Sequence, residues 1–139
     1  MFQLVYASAA RAPFNQDALQ LLLARARDAN AILKVTGMLL YHSSSFLQVL
    51  EGPQAGVEHI FGCIERDPRH HQINVRFREA TELREFPEWT MGFIDVSRWV
   101  LGPGMVDFHS IPKVAAAPTP AQRYLRLFHQ GLCRQAIPA

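Results

Sequence analysis

Cysteine is scarce in this 139-residue chain, which carries only Cys63 and Cys133. The two lie far apart and outside any CxxC pair, so they read as thiols in a reducing compartment rather than as a disulfide or a zinc pair. No apolar run is long enough to span a membrane, and Met1 leads straight into a strand-like segment without a charged leader or cleavage site. A membrane partner and an export signal are therefore not expected, and the cytoplasm is the expected location. The formal net charge is only +2, and no block of Lys and Arg follows a phosphate backbone, so no nucleic-acid partner is expected. Catalytic signatures are missing as well: there is no GxSxG, no HExxH and no recognisable Cys–His spacing. Gly52-Pro53 and Gly102-Pro103-Gly104 read as turns outside any phosphate-cradling pattern. His70 and His71 read as exposed loop histidines, because no third ligand accompanies them at close spacing. Neither an enzyme nor a metal site is expected.

What the chain does contain is enough apolar sequence, 49% of its residues, for one domain with a real core. Residues 2–8 are rich in β-formers and read as a strand with Leu4, Tyr6 and Ser8 on one face. Asn15 is placed as a helix N-cap, with Phe14 set to staple against Leu19. Leu19, Leu22, Leu23 and Ala26 then form an apolar stripe for a sheet, and Asn30 continues it by one turn. Residues 35–51 read as a hairpin around Ser43-Ser44-Ser45. A second helix carries Val57, Ile60, Phe61 and Ile64 and stops before Pro68. Strands are predicted over 73–80 and 89–96, with a loop at 81–88 containing Pro87. Beyond the Pro- and Gly-rich segment 102–120, Tyr124, Leu125, Leu127, Phe128 and Leu132 make a further amphipathic helix.

The order strand, helix, strand, strand, helix, strand, strand is the split βαβ pattern of an α+β ferredoxin-like sandwich. It predicts a five-stranded mixed sheet with two helices on one face and a C-terminal helical cap on the other. One domain would span residues 1–99, with 100–139 forming a linker and capping helix.

One side chain is out of place in the hairpin. Gln48 lies within Phe46-Leu47-Gln48-Val49-Leu50, and strand parity puts it on the face of Phe46 and Leu50. A buried amide needs partners, since leaving it unpaired costs about 1–3 kcal/mol. In a split βαβ sheet the first and third strands are central neighbours, so Tyr6 can meet Gln48 under the helices. Asn30, Trp89 and Met91 complete an unusual set. A slot between two helices is a common place for a cofactor, whereas a purely structural core Tyr–Gln pair is the plainer alternative.

The residues that carry a family likeness run through most of the chain. They are Leu4-Val5-Tyr6-Ala7-Ser8, Ala24-Arg25 with Asn30, Val35 to Tyr41, Phe46 to Pro53, Asp67-Pro68-Arg69-His70, and Phe86 to Phe93. In this order and at these spacings, residues 2 to about 99 resemble the BLUF family, blue-light sensors using FAD.

The resemblance implies FAD as cofactor, with FMN as an alternative. Tyr6 would donate an electron to the photoexcited flavin, Gln48 would bridge Tyr6 to the flavin N5 and C4 carbonyl, and Asn30 would hold the C4 carbonyl and N3 edge. Trp89 or Met91 would stand near Gln48 and couple it to the fifth strand. Leu39, Phe46 and Ile64 would line the ring, while Asp67 and Arg69 would lie near the ribityl and phosphate end. Ala29 replaces a position that is often polar in the family, so one cofactor hydrogen bond is expected to be missing. The implied output is a reversible red shift and a signal through strand five and the C-terminal helix to an unidentified downstream protein or a homo-oligomer. A small flavoprotein oxidoreductase and a cofactor-free ferredoxin-like interaction module are the competing readings.

Overall fold

The computed structural model describes residues 1–12, 14–42, 44–87, 90–95 and 119–129. The elements are β1 (Phe2–Ala10), α1 (Gln16–Leu33), β2 (Thr36–His42), β3 (Ser45–Gly52), α2 (Gln54–Arg66), β4 (His70–Ala80), β5 (Gly92–Asp95) and α3 (Pro120–His129). The expected order therefore holds, and the fold is the ferredoxin-like α+β sandwich. The five strands lie in the order β4-β1-β3-β2-β5. β1 runs antiparallel to both β3 and β4, and β2 pairs antiparallel with β3 but parallel with β5.

Local chemistry explains the boundaries. The Asn15 side chain accepts the Ala18 backbone N–H at 2.7 Å and opens α1. That helix continues a turn past Asn30 to a left-handed Lys34, so Asn30 lies inside the helix and not at its end. Between β2 and β3, Ser44 takes a positive φ of 69°, the left-handed geometry of a tight reversal. Ahead of β5, the 81–87 loop sends Phe86 into the core.

Strand parity divides the interior into two layers. Leu4, Tyr6, Leu39, Phe46 and Leu50 meet Leu19, Leu23, Val57, Ile60 and Phe61 of α1 and α2. On the opposite face Val5, Ala7, Met38, Leu40, Leu47 and Val49 are covered by Phe86 and by Ala121 and Leu125 of α3. The two helices and the cap thus occupy the predicted faces.

Three boundaries differ from the sequence reading. β4 begins at His70, so His70 is not an exposed loop residue: it is 8% exposed and its Nδ1 lies 3.3 Å from the Ser8 hydroxyl. The ladder with β1 reaches Ala10 opposite His70 and so extends the strand past the apolar alternation. β5 begins at Gly92, so Met91 precedes the strand. α3 begins at Pro120, a residue suited to a first helical turn, with Thr119 capping it. Leu132, expected in that helix, lies outside the described residues, as does Trp89. No described helix is long and apolar enough to cross a membrane.

Candidate functional site

Tyr6 and Gln48 are directly opposite one another on the two central strands, and both face the helices. The Tyr6 hydroxyl donates to Gln48 Oε1, and Gln48 Nε2 donates to the Met91 thioether sulfur at 3.5 Å. All three side chains are buried. Burial, with a smaller contribution from the Asp67 carboxylate, pushes the Tyr6 phenol far above its ordinary pKa. The phenol is therefore held protonated, as a hydrogen-bond donor.

Between α1, α2 and the sheet lies a cavity of about 420 Å³, within the size range of sites that take small ligands and cofactors. Its wall includes Tyr6, Gln48, Leu39, Asn30, Ile64 and Asp67. Asn30 is 1% exposed, and its Nδ2 donates to the Thr90 carbonyl at 2.7 Å. Its Oδ1 is buried and accepts no hydrogen bond among the described residues. A buried carbonyl without a donor costs about 1–3 kcal/mol, so this oxygen is available to an N–H or O–H from a water or a bound molecule.

Not every expected residue reaches that wall. Phe46 is fully buried, but it packs against Tyr41, Phe14 and His70, with ring centroids 4.8–5.3 Å away, rather than lining the cavity. It shares the face of Gln48 but sits two residues along β3, about 7 Å toward the β2–β3 turn. Arg69 also turns away. Its guanidinium pairs with Asp67 at 2.6 Å and lies over the Phe14 ring, and it lines a separate cavity of about 370 Å³ with Arg11 and Asn15. Met91 touches Gln48 from behind the wall, and Trp89 lies outside the described residues. The Arg69 bonds hold the Asp67 carboxyl below its ordinary pKa.

The structure also brings in residues that sequence reasoning missed. Leu22, Ala26 and Leu33 of α1 line the cavity beside the already noted Ala29, a row the stripe of that helix could have suggested. His70 lines it from the first residue of β4, and Cys63 and His59 lie on its α2 side. Arg27, on the turn before Asn30, reaches the Met91 carbonyl with two N–H groups.

The sequence profile of BLUF, described as sensors of blue light using FAD, matches residues 1–92. The chain belongs to the BLUF family. Over 89 residues it is 35% identical to the photoactivated adenylate cyclase subunit beta of Euglena longa, a stretch covering 63% of this chain and 10% of that protein. The dark-state structure of the BLUF protein BlrB superposes with a TM-score of 0.66 at 31% identity, over 69% of this chain and 73% of BlrB. The structure of Klebsiella pneumoniae BlrP1 with FMN and cyclic diGMP gives a TM-score of 0.77 at 28% identity, over 99% of this chain and 36% of that one. The chain thus spans about a tenth of the length of the curated cyclase it matches. BLUF domains are sensors, and some relatives join them to enzymes.

A flavin fits the donor set of the BLUF cavity. The unpaired Asn30 Oδ1 suits the imide N–H of the ring, and the wall of Leu39, Ile64 and the α1 row suits its apolar faces.

Proposed function

We propose that this BLUF chain is a blue-light photoreceptor that binds FAD non-covalently between α1 and α2 and turns over no substrate. Residues 1–99 form the sensor, and 100–139 a linker and capping segment. FMN is an alternative occupant, in keeping with the FMN named for BlrP1. The observation that carries the reading is the buried Tyr6–Gln48 hydrogen bond facing a cavity whose Asn30 carbonyl wants a donor.

When bound and excited by blue light, a flavin is a strong one-electron oxidant. With a flavin held there, Tyr6 would be the side chain placed to donate an electron, and its hydroxyl proton has Gln48 Oε1 as an immediate acceptor. The Gln48 amide has ends nearly alike in shape and opposite in hydrogen-bonding sense, so it can rotate or tautomerise once that proton moves. Its altered face toward the cavity would change the hydrogen bond offered to a bound ring and so shift that ring's absorption to the red without a covalent adduct. Its altered face toward Met91 carries the change to β5, which pairs with β2, and on to the C-terminal helix. Asn30 holds the ring edge, and Leu39 and Ile64 keep water from it. The chain signals to a downstream protein or to a second copy of itself, as the sensor–effector combination in the cyclase relatives suggests.

Tyr6→Phe tests the reading. The variant should keep its flavin and lose nearly all of the light-induced red shift, measured by difference absorption. A Tyr6→Phe protein that photocycles with the amplitude of its parent would remove Tyr6 from the proposed role.

A further inference from the structure

The backbone that carries the Met91 thioether to Gln48 is bonded to groups on α1. Arg27 donates to the Met91 carbonyl from Nε at 2.9 Å and from Nη2 at 2.7 Å. Three residues on, and so on the same face of the helix, Asn30 Nδ2 donates to the preceding carbonyl, that of Thr90, at 2.7 Å. Two successive carbonyls just ahead of β5 are thus fixed to one turn of α1. A guanidinium gripping one oxygen with two N–H groups sets both position and direction, which a single donor on a flexible stem does not. Asn30 ties the same segment to the cavity, because its other amide atom, Oδ1, is the unpartnered one.

From this geometry we propose that Arg27 is a positioning residue of the photocycle, holding Met91 against the Gln48 amide and so setting the rate of dark recovery. The proposal rests on the photoreceptor reading of the same site. Gln48 is enclosed by Tyr6 on one side and Met91 on the other, and both are 1% exposed. For its amide to turn back after illumination, a neighbour must yield in a close-packed interior. Met91 yields least when its own carbonyl is clamped to α1. Releasing the clamp gives the amide room and shortens the life of the red-shifted state. Arg27 touches neither the phenol nor the Gln48 amide in the described structure, so the formation of that state should persist without it.

The test is the dark-recovery rate of the flavin-loaded full chain after a blue flash, with flavin content and thermal midpoint measured alongside. Arg27→Ala should still show the red shift and should recover at least about threefold faster. Arg27→Lys, with charge but no fork, should fall between the two. In a Met91→Ala background, Arg27→Ala should change recovery by less than about 1.5-fold, because residues acting through one contact are not additive. An unchanged or slower rate in Arg27→Ala, or full additivity with Met91→Ala, would overturn the proposal while leaving the photoreceptor reading intact. Should Arg27→Ala fail to fold, Arg27→Lys decides the matter by the same criterion. A parent chain that takes up FAD without any red shift would instead sink the photoreceptor reading, and this proposal with it.

Discussion

His70 shows how one residue can be placed by the fold rather than by its neighbours in sequence. Pro68 and Arg69 before it suggest a loop, yet its ring stacks near Phe46 and lines the cavity. Burial pushes the imidazole below its ordinary pKa; the Asp67 carboxylate opposes that shift and the Arg69 charge adds to it. The folded chain therefore keeps His70 neutral over a range in which the unfolded chain binds a proton. The associated stability is complete above the ordinary imidazole range and is lost as the pH falls from there toward the lower folded value. The thermal midpoint should drop between about pH 7 and pH 5 in the parent chain and drop less in His70→Phe. Equal losses in the two proteins would assign the acid sensitivity to other groups. Gln48, by contrast, was legible in sequence, because parity put an amide among Phe46 and Leu50 and forced the question of its partner. Arg27 was not legible: an arginine on an amphipathic helix is ordinarily solvated, and only the packed segment ahead of β5 reveals its carbonyl partner.

At the scale of elements, the β2–β3 hairpin must lie close enough to carry Gln48 to the cavity wall. Gly37 is what permits the approach. A Cβ at Gly37 would lie 1.8 Å from the Val49 carbonyl oxygen, a backbone atom that cannot swing aside. Gly37→Ala should therefore destabilise the chain by about 2 kcal/mol or more, read as a lower urea midpoint with an unchanged slope. A midpoint within error of the parent would show that the hairpin relaxes without cost. The hairpin, both sandwich helices and the Asn15 cap followed from periodicity and turn chemistry in the sequence. The ends of β1 and β4 did not, because their last residues are set by the ladder between them and not by alternation. Phe46 stands off the cavity because parity gives a face but not the position along it, whereas the expectation for Arg69 came from the family likeness and its guanidinium turns to Asp67.

Across the whole molecule, the sheet separates a ligand layer from a capped layer, and one buried carboxylate joins the second layer together. Glu51, fully buried on the α3 side, accepts from Gln3 Nε2 at 3.1 Å, from the Glu85 N–H at 3.0 Å and from the Phe86 N–H. Glu85 in turn accepts the Thr119 hydroxyl at 3.0 Å, and Thr119 caps α3. The C-terminal helix is thus fastened to the end of the strand that bears Gln48, three residues away. A change at the cavity face and a change in the cap share that strand, which gives the proposed output a second path to α3 beside the one through Met91 and β5.

The measurement that bears most directly on the central claim is the visible spectrum of the purified chain reconstituted with FAD, in darkness and just after blue light, beside the same measurement on Gln48→Leu. The expected result is a bound flavin whose absorption shifts slightly to the red and relaxes in the dark, with the shift abolished by the substitution and the flavin retained. A flavin that bleaches without a red shift, or a red shift that survives in Gln48→Leu, would contradict it.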